Sequence, residues 1–278
     1  MYATNCEFDG IKLSDYGMMI CTFDSSGGIE TVSSGADITF NTIKPTGSNH
    51  FRYINAKYEE AYTTTFQICK NPCTIHDAMY LSKNEVSGLQ RWLCRKDGFH
   101  RFAVIQEDLK DIFWNATFTS KEIQVNGRTV GLELTMFTDS PYAYLNIGTI
   151  SYSPSSGEEF KLYDMSDEVG TIYPLVTICC RGNALIELKN NMETNENRRP
   201  KINVIDGETI TLDGKNKIIS SSNPERTQEI LAGNFNFYFP RIINTFNNRE
   251  NVYTLISDNP NFSCTITFSY NPIVKVGL

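Results

Sequence analysis

Histidine is scarce in this 278-residue sequence, which holds only His50, His76 and His100. Hydrolytic chemistry usually recruits histidine, a positioned nucleophile or paired carboxylates. The adjacent acidic pairs, Glu59-Glu60, Glu107-Asp108 and Glu158-Glu159, read as charged loop positions. No GxSxG, HExxH or GxxxxGK[ST] motif occurs. The expectation is a protein that is not an enzyme, with no catalytic residue and no cofactor. Basic runs are missing too. The net charge is −7, and the densest cationic cluster, Arg198-Arg199-Pro200-Lys201, reads as a solvated loop. Nucleic-acid grooves need clustered Lys and Arg to neutralise phosphates, so no nucleic-acid partner is expected. No apolar run reaches the length of a membrane span. The opening MYATNCEFDG lacks the basic and apolar regions of a signal peptide. Cytoplasmic synthesis is therefore expected, with no membrane partner and with eight cysteines kept as thiols.

Metal-ligand spacing is equally thin. Cys69, Cys73 and His76 could supply three ligands, with Cys94 or His100 as a fourth. Their spacing fits no compact zinc knuckle and no second CxxC follows, so no metal is assigned. Cys179 and Cys180 are neighbours on a strand pattern and point to opposite faces; they read as buried apolar positions. Sugar-binding sandwiches stack ligands on exposed aromatic rings, above all Trp. Trp92 and Trp114 both lie in the front half. The back half offers tyrosines, Tyr163, Tyr173, Tyr238, Tyr253 and Tyr270, of which Tyr238 and Tyr270 fit a core or a sheet surface equally well.

What the sequence does have is apolar alternation. Hydrophobic residues make up 40%, enough for a real core. Period two marks half-buried strands. It places Ile38 with Phe40, Tyr62 with Phe66 and Ile68, and Leu132 with Leu134 and Met136. It recurs in Phe235, Phe237 and Phe239, and again from Phe262 through Cys264, Ile266 and Phe268 to Tyr270. Ile202 and Val204 lead through Asp206-Gly207 to Ile210 and Leu212, and Asp213-Gly214 follows; Asp-Gly between apolar pairs signals a hairpin. One helix is predicted near 83–96. Ser82 and Glu85 form a capping box, and Val86, Leu89, Trp92 and Leu93 share a face. Arg91, Arg95 and Lys96 suit its last turn, and Asp97-Gly98 gives the stop. The fold class is mostly β, in two domains, 1–150 and 151–278. The switch is expected in the polar, turn-rich stretches between 148 and 170, and the residues from Asn271 are candidates to pack back on the first domain.

The order of segments carries a further signal, which begins at Phe8-Asp9-Gly10-Ile11 and Asp15-Tyr16-Gly17. It continues through Lys57-Tyr58-Glu59-Glu60-Ala61, Arg91-Trp92-Leu93, the segment from Arg101 to Gln106, Trp114-Asn115-Ala116, Val125-Asn126-Gly127 and Asp139-Ser140-Pro141-Tyr142. In the back half it rests on Tyr173-Pro174-Leu175-Val176, on the stretch from Gly207 to Asp213, and on Phe239-Pro240-Arg241-Ile242. This collinear set resembles the distal tail proteins of long-tailed phages of Gram-positive hosts, except that their usual turn after that last strand is replaced by the run from Ile243 to Asn248. The resemblance implies a ring-forming N-terminal β domain and a C-terminal galectin-like β-sandwich. It implies a homohexamer in the virion, joining the tail tube to the tail tip or baseplate. The implied partners are the tail tube protein, a tail-tip hub or tail-associated lysin, and receptor-binding components. The polar segment from Gly27 to Gly35 is a candidate tube-facing loop, and Trp92 is read as a core anchor or an interface residue. The alternative function is a lectin-like sandwich recognising host cell-wall glycans.

Overall fold

The computed structural model describes residues 3–23, 34–74 and 79–278. The chain is mostly β and divides into two compact units, Met1–Asn146 with Ile273–Leu278, and Ile147–Pro272.

The first unit is built on one antiparallel sheet. Its strands run in the order Ile11–Lys12, Cys6–Phe8, His100–Val104, Ile112–Val125, Arg128–Thr138, Thr63–Lys70 and Met18–Cys21. The short strand Ala143–Leu145 pairs both with the start of Ile112–Val125 and with the closing Ile273–Val274. The two longest strands meet at Asn126-Gly127, where φ values of 52° and 74° give the doubly left-handed backbone of a tight hairpin turn. The alternation of Leu132, Leu134 and Met136 is a burial pattern, since each is at most 1% exposed. Gly131 sits in the same strand for a steric reason: a Cβ there would lie 2.5 Å from the Ile68 carbonyl and 2.7 Å from the Phe23 ring.

The helix Lys83–Leu93 lies over this sheet. Ser82 accepts from the Glu85 amide at 3.3 Å, and the Glu85 carboxylate accepts from the Ser82 amide at 2.7 Å. Val86, Leu89, Trp92 and Leu93 face the core. The helix stops three residues before the expected end. Cys94 leaves helical geometry, and Arg95 turns instead to Asp9 at 2.8 Å, so only Arg91 serves the last turn.

The second unit is a sandwich. One sheet runs Thr149–Tyr152, Ser263–Ser269, Leu175–Arg181, Thr209–Asp213 and Ile218–Ser221. The other runs Glu159–Tyr163, Glu250–Ser257, Ala184–Asn190 and Lys201–Val204. Inward residues of both sheets, among them Val176, Ile178, Ile210, Ile266 and Phe268 against Leu162, Ile186, Val204, Tyr253 and Leu255, form one core. A small pair, Gly170–Ile172 with Ile242–Asn244, is pinned by buried polar groups. Asp164 binds the Asn244 amide and accepts from Ser166 Oγ at 2.9 Å, and Asn190 donates to Asn251 at 2.8 Å. Such groups stay buried because each has a partner.

Several sequence expectations fail here, each for a tertiary reason. The Asp206-Gly207 turn joins no hairpin. Lys201–Val204 and Thr209–Asp213 belong to different sheets, and the turn carries the chain between them, with the Gly207 amide donating to the Cys180 carbonyl at 3.1 Å. Asp213-Gly214 does open a hairpin, closing onto Ile218. Phe235, Phe237 and Phe239 form no strand. Phe237 has φ of 57°, which turns the chain and leaves it exposed between two buried neighbours. Within the polar stretch between 148 and 170, Thr149–Tyr152 and Glu159–Tyr163 form sandwich strands. A second short helix, Pro224–Glu229, also forms, capped by Asn223 and opened by Pro224.

Candidate functional site

The alternation puts Ile38 and Phe40 on one face of an expected half-buried strand. They stand instead on a two-stranded hairpin, Ile38–Ile43 with Arg52–Tyr58, whose strands pair only with each other among the described residues. Asn41 donates to Asn55 across it at 2.7 Å, and a bulge between Asn41 and Thr42 shifts the register. Near its base Tyr58 packs edge-on against Tyr142. Further out, Ile38, Phe40, Ile43, Phe51, Tyr53 and Ile54 remain 43–68% exposed. Isolated two-stranded hairpins are marginal in water. Contiguous exposed apolar surface marks interaction sites. This hairpin carries exposed apolar side chains and little charge, the composition of an interaction surface.

The titratable candidates disperse. Cys69 lies half-buried in Thr63–Lys70, Cys73 is exposed in the following turn, and His76 lies outside the described residues. Cys94 contacts Ser120 at 3.7 Å. His100 Nε2 is 2.9 Å from Asp97, which lowers the Asp97 pKa, chiefly through that hydrogen bond. Among the described residues, no three His, Cys, Asp or Glu side chains converge as metal ligands would. Burial and then the neighbouring Cys69 thiol push the Cys21 thiol up, while burial pushes Cys6, Cys180 and Cys264 up to about 12. Thiols so disfavoured as thiolates are poor nucleophiles. Cys179 is exposed, against the expectation of burial.

The acidic pairs do surface work. Glu59 pairs with Lys57 at 3.1 Å, Asp108 accepts from Gln106, and Glu158 accepts from the Ser155 amide at 2.7 Å. His50 closes a turn, its amide donating to Ser48 Oγ at 3.1 Å.

Both tryptophans are core residues. Trp114 is fully buried. Trp92 donates to the Phe8 carbonyl at 3.2 Å and stacks on Tyr16 with ring centroids 4.7 Å apart. The cluster from Arg198 to Lys201 is not a plain solvated loop: Arg199 reaches Glu187 at 3.2 Å, and Lys201 starts a strand and pairs with Glu187 at 2.9 Å. Tyr253 and Tyr270 are buried, whereas Tyr163, Tyr173 and Tyr238 are exposed. The polar segment from Gly27 lies outside the described residues as far as Ser33. No alternation rule could reveal the exposed hairpin, because burial depends on what lies opposite a strand.

Comparison with known proteins gives this geometry a context. The fold matches the crystal structure of SPP1 Dit (gp 19.1), described as a paradigm of the hub adsorption apparatus in Gram-positive infecting phages. The TM-score is 0.62 at 11% identity, over 96% of this chain and 98% of that one. No curated protein sequence matches. Residues 1–140 match a family described as the phage tail protein N-terminal domain, and residues 142–270 match one described as the phage tail C-terminal domain. With both domains present in order, the chain belongs to this family of phage tail proteins.

Proposed function

We propose that the protein is a distal tail protein that assembles into a closed ring between the tail tube and the tail tip. The ring carries the adsorption components. The observation that carries this reading is the hairpin Ile38–Ile43 with Arg52–Tyr58, whose apolar side chains find no cover within the chain among the described residues. A heterologous contact repeated through a rotation closes into a ring, and closure leaves no free edge. The first unit, with the hairpin, is the ring former, and the second is a galectin-like sandwich. Six copies match the symmetry expected of a tail tube. The partners on this reading are the tail tube protein on one side, and the tail-tip hub or lysin and receptor-binding components on the other. A structural role in the virion needs large complementary surfaces and no cofactor. The likeness to SPP1 Dit supports the reading through its fold.

Negative-stain images and light scattering of the full chain at high concentration test it. Closed rings of six are expected. A chain that stays monomeric at every concentration, with or without tail tube protein, would refute the ring.

A further inference from the structure

A cleft of about 320 Å³ opens on the second unit. Its walls include Tyr173, Arg198, Lys217, Phe237, Tyr238 and Arg241. These residues come from four separate segments, so only the fold brings them together. Three of its aromatic residues are partly exposed: Tyr173, Phe237 and Tyr238, at 38–54%. The Lys217 ammonium stands 3.2 Å above the Tyr173 ring centroid and 5.0 Å from that of Phe239. Arg241 is paired with Glu193. Arg198 and Lys217, by contrast, make no salt bridge to any carboxylate among the described residues, in a chain of net charge −7.

The backbone singles out the same place. Among the described residues, five non-glycine positions have positive φ: Asp9, Asp111, Asn126, Lys217 and Phe237. Asp and Asn tolerate that conformation well; Lys and Phe do so far less readily. Both of the unusual ones, Lys217 and Phe237, line this cleft. Such backbone persists where surrounding structure imposes it, and it collects at binding sites.

We propose that this cleft binds an anionic saccharide, a sugar ring bearing a carboxylate or a phosphate. Exposed aromatic side chains, Phe237 and Tyr238 foremost, suit the C–H face of a sugar ring. Two cations without carboxylate partners suit its charge, since charge-assisted hydrogen bonds are the strong ones. The volume lies at the small end of ligand pockets and holds a sugar ring or two rather than an extended peptide. The proposal does not rest on the ring: binding and assembly are separate readouts.

The test applies the full-length protein to a glycan array of neutral, carboxylated and phosphorylated saccharides, with inorganic phosphate and hexaglutamate as solution competitors. Binding is expected on acidic saccharides and not on their neutral parents. Inorganic phosphate and hexaglutamate should compete poorly. Arg198→Ala and Lys217→Ala should each weaken binding roughly tenfold, the effect of losing one charged hydrogen bond. Lys217→Arg should retain most of it. Because both positions are exposed, melting curves of the variants should match the parent. Carboxylated and phosphorylated spots distinguish the two sources of charge. Binding only to neutral glycans, or to none, overturns the proposal. So does binding that the alanine variants leave undiminished. Efficient competition by hexaglutamate would make the cleft an acidic-peptide site instead, and efficient competition by phosphate alone would reduce it to a general anion site.

Discussion

Phe40→Ala separates assembly from folding. Phe40 keeps 65% of its surface exposed on the hairpin. A phenylalanine ring buries roughly 200 Å² when fully covered, so an interface over Phe40 would withdraw about 130 Å² more from water. At about 25 cal/mol/Å² that contact is worth about 3 kcal/mol per subunit junction. Each junction should therefore weaken about 100-fold. Within one chain the same ring touches little, so the variant should lose less than about 0.5 kcal/mol of folding stability. Mass photometry over a dilution series reads the assembly, and urea unfolding of the dilute chain reads the fold. The expected pattern is a shifted assembly midpoint with an unchanged unfolding midpoint. The reverse pattern, a full 3 kcal/mol lost from folding and no change in assembly, would show that the hairpin packs within its own chain and would remove the main support for the ring.

Three further outcomes are expected. Ser82→Ala should cost about 1 kcal/mol by removing the helix cap. Its partner Glu85 is held down to about 2, first by the Lys70 ammonium at 2.8 Å and then by the Ser82 bonds. A depressed carboxylate stabilises the fold above its unfolded value near 4.5 and loses that contribution as pH falls toward 2. The Glu85 side chain is 44% exposed, so the effect should stay below about 1 kcal/mol and shrink in salt. Acid unfolding of Glu85→Gln should lack this component between those two pH values; an identical acid limb would show that the Lys70 contact contributes nothing. Thiol labelling of the native protein should modify the exposed Cys73 and Cys179 first and leave the buried Cys6, Cys180 and Cys264 unmodified until unfolding. Rapid labelling of all eight would contradict the burial described above.

Local rules carried far in this chain where a strand or helix faces a core. Phe262, Cys264, Ile266, Phe268 and Tyr270 alternate and are all buried, and the capping box at Ser82 begins the helix where it should. Both depend on neighbours within a few residues. The same alternation misled at Phe237, where one left-handed residue turns the chain. The Asp206-Gly207 turn has the right residues for a hairpin, but the strands it joins find better partners in opposite sheets.

The sequence alone thus determined a mostly β chain with one well-capped helix, because periodicity and caps are local physics. It also carried, in the order of its segments, a resemblance to phage tail proteins that the family matches support over both halves. The tertiary structure alone decided which apolar residues are surface and which are core. Phe40 and Leu134 sit in equally alternating strands, yet one is 65% exposed and the other 1%. The difference lies in whether anything packs opposite. Tertiary structure also gathered Tyr173, Arg198, Lys217 and Phe237 into one cleft from positions up to 64 residues apart, the distance from 173 to 237. No spacing rule links such positions, since only the folding of two sheets onto one core brings their loops together.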